Sequence, residues 1–218
     1  MGMHKYEGLE GIFEFGEHNS RSVLKHYRSQ GWVLLKEFYN YKNEILPVHR
    51  EVNSLISLKL KQTKLSPVCD PHQETIHTAD FIQLCKHDRE KGGEIYRATR
   101  HLCELHKMLV KAESIELAQR LMSTRAVNII PYIPIRIDLK NEEKYLFDWH
   151  QDYPYTQGSM DGIVIWSPLF DVRDGDGGIK LIPASHTKGL RSIEICDPQN
   201  ANKNGAHTIK IHNTEEFE

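Results

Sequence analysis

The sequence has no apolar run long enough to cross a bilayer as a helix. Its opening, Met-Gly-Met-His-Lys-Tyr-Glu-Gly, lacks the apolar core of a secretory leader. Both absences predict a cytoplasmic protein. Cysteine is scarce: four residues, Cys69, Cys85, Cys103 and Cys196, with no Cys-x-x-Cys among them. That spacing argues against a structural zinc knuckle. Reduced, partly buried thiols are expected where Cys85 and Cys103 stand among apolar neighbours. A block of like charge is missing too. The 28 Lys and Arg are interspersed among 30 Asp and Glu, for a net charge of −2. Without a basic patch there is no field to hold nucleic acid or a membrane surface, so neither is expected as a partner. No internal repeat and no second domain boundary is visible, and the oligomeric state is unknown.

What is present is ordinary for a soluble protein: 39% hydrophobic and 27% charged residues in a chain of 218. That is enough for one domain with its own core. A helical part is predicted over about residues 19–123. After a short strand near Ile12 to Phe15, Asn19 or Ser20 is placed to cap a helix that Gly31 ends, with Val23, Leu24 and Tyr27 on one side. Trp32-Val33-Leu34-Leu35 reads as a short apolar strand. Asn40 or Asn43 opens the next helix, with Pro47 in its first turn. Its stripe of Ile45, Val48, Val52, Leu55 and Ile56 is expected to pack on a sheet. Residues 61–72 read as a polar linker. Beyond it, Phe81, Leu84 and Cys85 share a face, Gly92-Gly93 marks a break, and Ile95, Leu102, Leu105 and Leu109 recur with helical period. Ser114 is placed to cap a last helix. His101 and His106 are five apart, more than one helical turn, and are not read as ligands. This part either covers the core or shapes a substrate mouth.

From Ala126 onward the period changes. Ile133, Ile135, Ile137 and Leu139 alternate with Pro134, Arg136, Asp138 and Lys140, which predicts a strand. Further strands are predicted at 145–149, 162–171, 179–182 and 208–211, separated by turns. Helices first and short strands after predict a mainly β fold with flanking helices, its jelly-roll part covering about 126–218.

In that part stands Asp148-Trp149-His150-Gln151-Asp152. On a strand, side chains two apart share a face. His150 and Asp152 then aim an imidazole and a carboxylate at one point. This is two thirds of the 2-His-1-carboxylate triad, which holds non-haem Fe(II) and leaves positions open for oxygen and a co-substrate. Alone, a His-x-Asp is equally a polar strand end or a turn. Gln151 is expected to point away from the metal, with a hydrogen bond near the rim open to it. Tyr153 and Tyr155 are candidate substrate contacts. Arg136, out of phase with the aliphatic face of its strand, is either a carboxylate partner or a solvent-facing residue.

Downstream come Ile163-Val164-Ile165-Trp166-Ser167-Pro168-Leu169-Phe170-Asp171 and Gly177-Gly178-Ile179-Lys180-Leu181-Ile182-Pro183-Ala184-Ser185-His186-Thr187-Lys188-Gly189. With the His-x-Asp before them, these motifs resemble the phytanoyl-CoA dioxygenase family of Fe(II)/2-oxoglutarate-dependent oxygenases. The resemblance is most specific over 146–190 and looser from Gly31 to Leu58. It implies a single dioxygenase domain over 1–218 with a double-stranded β-helix, cupin-like core. It also implies Fe(II) on His150 and Asp152, with 2-oxoglutarate as co-substrate and O2. The reaction implied is decarboxylation of 2-oxoglutarate to succinate, with hydroxylation of an unactivated C–H bond in a small-molecule metabolite. A carboxylate at Asp152 favours hydroxylation over halogenation. By the same resemblance Phe147 lines the 2-oxoglutarate pocket and Trp166 is a wall near the metal; each is equally a core aromatic. The resemblance also implies that His186 closes a strand and orders the loop after it, and is not a ligand.

The family also carries a distal His on a Pro-Gly-Asp strand, and a following Arg for the far carboxylate of 2-oxoglutarate. Neither segment occurs before Glu218. One reading is a chain truncated relative to the family, with its C-terminal strands missing. The other is a compacted barrel in which His207 or His212 completes the triad; His212 is carried as the third candidate ligand. Two other classes stay open: an inactive jelly-roll protein that binds a small molecule, and a cupin-like metal-dependent isomerase or hydrolase. The identity of the substrate is not legible.

Overall fold

The computed structural model describes residues 10–130, 133–139, 142, 147–173, 175–195 and 209–211. The chain divides into two compact units, residues 1–38, 117–127 and 140–218 in one, and residues 39–116 and 128–139 in the other. The units interleave along the chain, so no single linker marks a boundary.

In the first unit, β1 (Ile12–Glu14) and β2 (Leu34–Lys36) pair in parallel, Ile12 opposite Leu34. Between them lies α1 (Arg21–Gln30). Ser20 caps it, its Oγ accepting from the Val23 N–H at 3.2 Å. Gly31 ends it at φ 80°, its N–H donating to the Tyr27 carbonyl at 2.7 Å. Only glycine takes that left-handed conformation without cost. Val23 is the buried residue of α1.

The second unit is helical. A π-turn, Tyr41–Ile45, leads into α2 (Leu46–Thr63), with Pro47 in the first turn. Asn40 Oδ1 accepts from the Asn43 N–H at 3.0 Å, and Glu44 reaches back to the Asn40 N–H at 2.6 Å. Val48, Val52, Ile56 and Leu60 are buried along one stripe. They pack against α3 (Thr78–His87), α4 (Arg89–Thr99) and α5 (Cys103–Leu109), not against a sheet as the stripe predicted. Each such side chain contributes roughly 1.5–3 kcal/mol when fully buried. Asp88 closes α3 and caps α4, accepting from the Glu90 and Lys91 N–H groups at 3.0 and 3.4 Å. The last helix of the run is α6 (Ala112–Leu121).

Several expectations are corrected in this half. Gly92 and Gly93 do not break the chain but lie inside α4. A Cβ at Gly92 would collide with Cys85 Sγ, so glycine lets α3 and α4 approach. The linker begins only after Thr63, where Lys64 takes φ 58°. Ser114 is not a cap: α6 starts before it, and its buried hydroxyl bonds the Met108 carbonyl at 3.4 Å. Cys103 is exposed rather than partly buried, whereas Cys85 is buried.

The mainly β, jelly-roll expectation is overturned. The described residues are mostly helical, and their strands are four three-residue segments in two two-stranded sheets. The second sheet pairs β3 (Ile193–Ile195) antiparallel with β4 (Ile209–Ile211). Of the predicted strands, 133–139, 162–171, 179–182 and the described part, 147–149, of 145–149 form no ladder among the described residues; residues 145 and 146 lie outside them. Alternation supplies a face, but a strand exists only when a neighbour takes its backbone hydrogen bonds. Pro134, Pro168 and Pro183 withhold donors, and Gly175 and Gly177 turn the chain at φ 91° and 79°. Among the described residues no helix is long and apolar enough to cross a membrane.

Candidate functional site

His150 and Asp152 do come together, by a different route from the strand. Asp152 is at φ −75°, ψ −28°, helical rather than extended, and is the first residue of the turn into α7 (Tyr153–Thr156). Its carbonyl accepts from the Tyr155 and Thr156 N–H groups at 3.0 and 3.2 Å. Pro154 falls in the first turn of α7, where its missing N–H costs nothing. The turn folds the carboxylate back beside the ring, and His150 Nε2 lies 3.4 Å from Asp152 Oδ1.

The other ring nitrogen defines the chemistry. His150 Nδ1 is 2.7 Å from the Asp148 carbonyl oxygen. A carbonyl only accepts, so Nδ1 carries the proton. In the neutral ring Nε2 is then a lone pair, facing a carboxylate oxygen that also only accepts. Two acceptors share such a space when a proton or a cation lies between them. A backbone carbonyl that fixes the far nitrogen is the orienting contact that metal-ligating histidines use. Two donors cis on one ion, each at about 2.1 Å, stand about 3 Å apart, close to the separation here. The pair therefore fits either a protonated imidazole bound to the carboxylate or one divalent ion, and the side chains are 31% and 48% exposed.

Aromatic rings flank the histidine. Phe147 lies 5.0 Å from the His150 ring, and Tyr155 stands edge-on to it at 5.7 Å. Phe147 and Tyr155 touch each other at 6.0 Å. Burial, then the charges of Asp152 and Asp148, raise the Tyr155 phenol above its ordinary range. It stays protonated and can donate.

The other candidates fall elsewhere. Tyr153 opens α7 and is half-buried. Trp166 is 48% exposed. Arg136 belongs to the other unit, where it pairs with Asp138 at 2.7 Å. His207 and His212 lie outside the described residues. Among the described residues no three His, Cys, Asp or Glu side chains converge on one point. His186 Nε2 donates to the Arg28 carbonyl at 3.1 Å, at the end of α1. His106 Nε2 donates to the Arg100 carbonyl at 2.9 Å.

Two contributors had no clear signal in the sequence. The Asp148 carbonyl is backbone, invisible to residue patterns. The Gln151 amide binds the 189–191 backbone, a partner that residue spacing does not reveal. No protein-family model, no curated protein and no solved structure matches the chain.

Proposed function

We propose that the chain is an Fe(II)/2-oxoglutarate-dependent oxygenase that hydroxylates a small-molecule metabolite, similar in its motifs to the phytanoyl-CoA dioxygenase family. The observation that carries this reading is the His150–Asp152 pair, with Nε2 and Oδ1 3.4 Å apart and Nδ1 committed to the Asp148 carbonyl. The reading rests on this pair and not on a barrel. Bound there, Fe(II) with 2-oxoglutarate would supply the oxidising power for the C–H bond. The residues of the chain have simpler tasks. His150 and Asp152 would hold the ion, and the Asp148 carbonyl fixes the imidazole so that its lone pair points at it. Phe147 and Tyr155 wall one side of the ring, and Tyr155 keeps a hydroxyl proton available for a bound anion. The third protein ligand would come from His212 or His207. A reducing, cytoplasmic setting is part of the proposal, since ferrous iron and free thiols both need it. The net charge of −2 favours a small molecule over nucleic acid or a membrane as partner.

Anaerobic addition of Fe(II) and 2-oxoglutarate tests this directly. A metal-to-keto-acid charge-transfer band is expected in the wild type, and its loss in both His150→Ala and Asp152→Ala. Folded wild-type protein without the band overturns the reading.

A further inference from the structure

The side chain between the two candidate ligands makes the most specific long-range contact of this region. Gln151 Nε2 donates to the Gly189 carbonyl at 3.0 Å, while its Oε1 accepts from the Arg191 N–H at 2.8 Å. One primary amide thus binds the carbonyl of one residue and the N–H of the residue two further on, as a neighbouring strand would. The segment it grips is itself tied down. The Ala184 N–H donates to the Gln30 carbonyl at 2.8 Å, and His186 caps the Arg28 carbonyl. The His186 ring occupies the space where a Cβ at Gly31 would stand, so the glycine that ends α1 also admits this ring.

We infer that Gln151 is a positioning residue for a metal ion held by His150 and Asp152: it clamps the backbone of 150–152 to a loop anchored on α1. The inference rests on the reading of His150 and Asp152 as ligands. Each ligand is one residue from Gln151, so a shift of its Cα moves both donors. The amide acts through the backbone it holds: both of its polar atoms bind the 189–191 backbone. Its role is to hold the pair at its observed separation before the ion arrives, when the ordering cost is already met by the fold.

The test uses Gln151→Met, which keeps length but has no donor and only a weak sulfur acceptor. Val23→Ala in α1 serves as a control that weakens the same unit without removing a hydrogen bond of the clamp. Fe(II) alone is titrated anaerobically by calorimetry, and the exchange of the Arg191 amide is followed without metal. Gln151→Met is expected to weaken Fe(II) binding about tenfold or more, and to speed Arg191 exchange by a similar factor. Val23→Ala is expected to lower the Tm and leave Fe(II) affinity unchanged. Wild-type affinity in Gln151→Met, or an equal loss in Val23→Ala, overturns the positioning role. If the wild type binds no Fe(II), the iron reading fails, and Arg191 exchange judges the clamp by itself. Unchanged exchange in Gln151→Met then overturns it, and faster exchange sustains it.

Discussion

The helices of residues 46–109 and the stretch of residues 160–193 carry comparable apolar side chains and treat them in opposite ways. Val48, Val52, Ile56, Leu84 and Ile95 are fully buried. Val164, Trp166, Phe170, Ile179 and Leu181 are largely exposed, Val164 at 65%. The difference lies in what satisfies the backbone. A helix closes its own hydrogen bonds and arrives at the core with its polar groups already paired, so its apolar stripe is free to pack. An alternating segment must find a second segment first. Among the described residues of 160–195 that pairing is confined to β3, and side-chain contacts such as the Gln151 clamp do part of the work of a strand edge.

The largest effect that can break this comparison is a truncation to alanine in each region. Leu84→Ala should cost about 2–5 kcal/mol, because it opens a cavity among packed helices. Val164→Ala should stay within about 0.5 kcal/mol, as an exposed substitution does. Urea unfolding of both variants checks the pair. A large loss at Val164 would mean that residues 160–193 are packed after all.

Gly92→Ala sharpens the helical side. Alanine favours a helix over glycine by about 1 kcal/mol. The collision with Cys85 Sγ opposes this, and overpacking costs about 1–3 kcal/mol. Net destabilisation of about 1 kcal/mol is expected in a thermal melt. In a Cys85→Ala background the collision is gone and the sign should reverse. A stabilising Gly92→Ala in the wild-type background would show that α3 and α4 yield easily.

The smallest effect concerns charge. Hydrogen bonds from Lys59 and then Lys91 hold the Glu94 carboxyl down to about 2, from an ordinary 4.5. A carboxyl lowered in the folded state adds stability that is present above pH 4.5 and fades as pH falls toward 2. Wild type should therefore exceed Glu94→Gln in stability near neutral pH, with the gap closing across that window. The group is partly exposed, so the gap should also shrink in salt. A gap that is flat with pH would show that the Glu94 contacts are not ionic.

Local signals were read most accurately. Ser20, Asn40, Pro47 and Gly31 act on the few residues around them, and each stands in the structure where its chemistry placed it. The buried stripe of α2 follows from the 3.6-residue period alone. Signals that need a partner were misread. The alternation at 133–139 has the right period for a strand and no ladder among the described residues. Gly92-Gly93 looks like a break because glycine weakens an isolated helix, and only the nearness of Cys85 shows why it is tolerated. At the candidate site, His150 and Asp152 were legible as a pair for the wrong reason. The i, i+2 geometry of a strand was invoked, and a helical turn at Asp152 supplies the contact.

Spacing along the chain is enough to place the caps at Ser20 and Asn40, the stop at Gly31, the buried stripe of α2, and an imidazole and a carboxylate two positions apart. These depend on spacing along the chain, which the sequence states outright. That α2 packs on helices rather than on a sheet follows from the assembled fold. It alone placed Asp148, Gln151 and the 189–191 backbone around the pair, and it left the later apolar stretch outside a jelly-roll. Those outcomes depend on which distant groups meet, and a hydrogen bond between residues 38 and 40 positions apart leaves no period in the sequence to read.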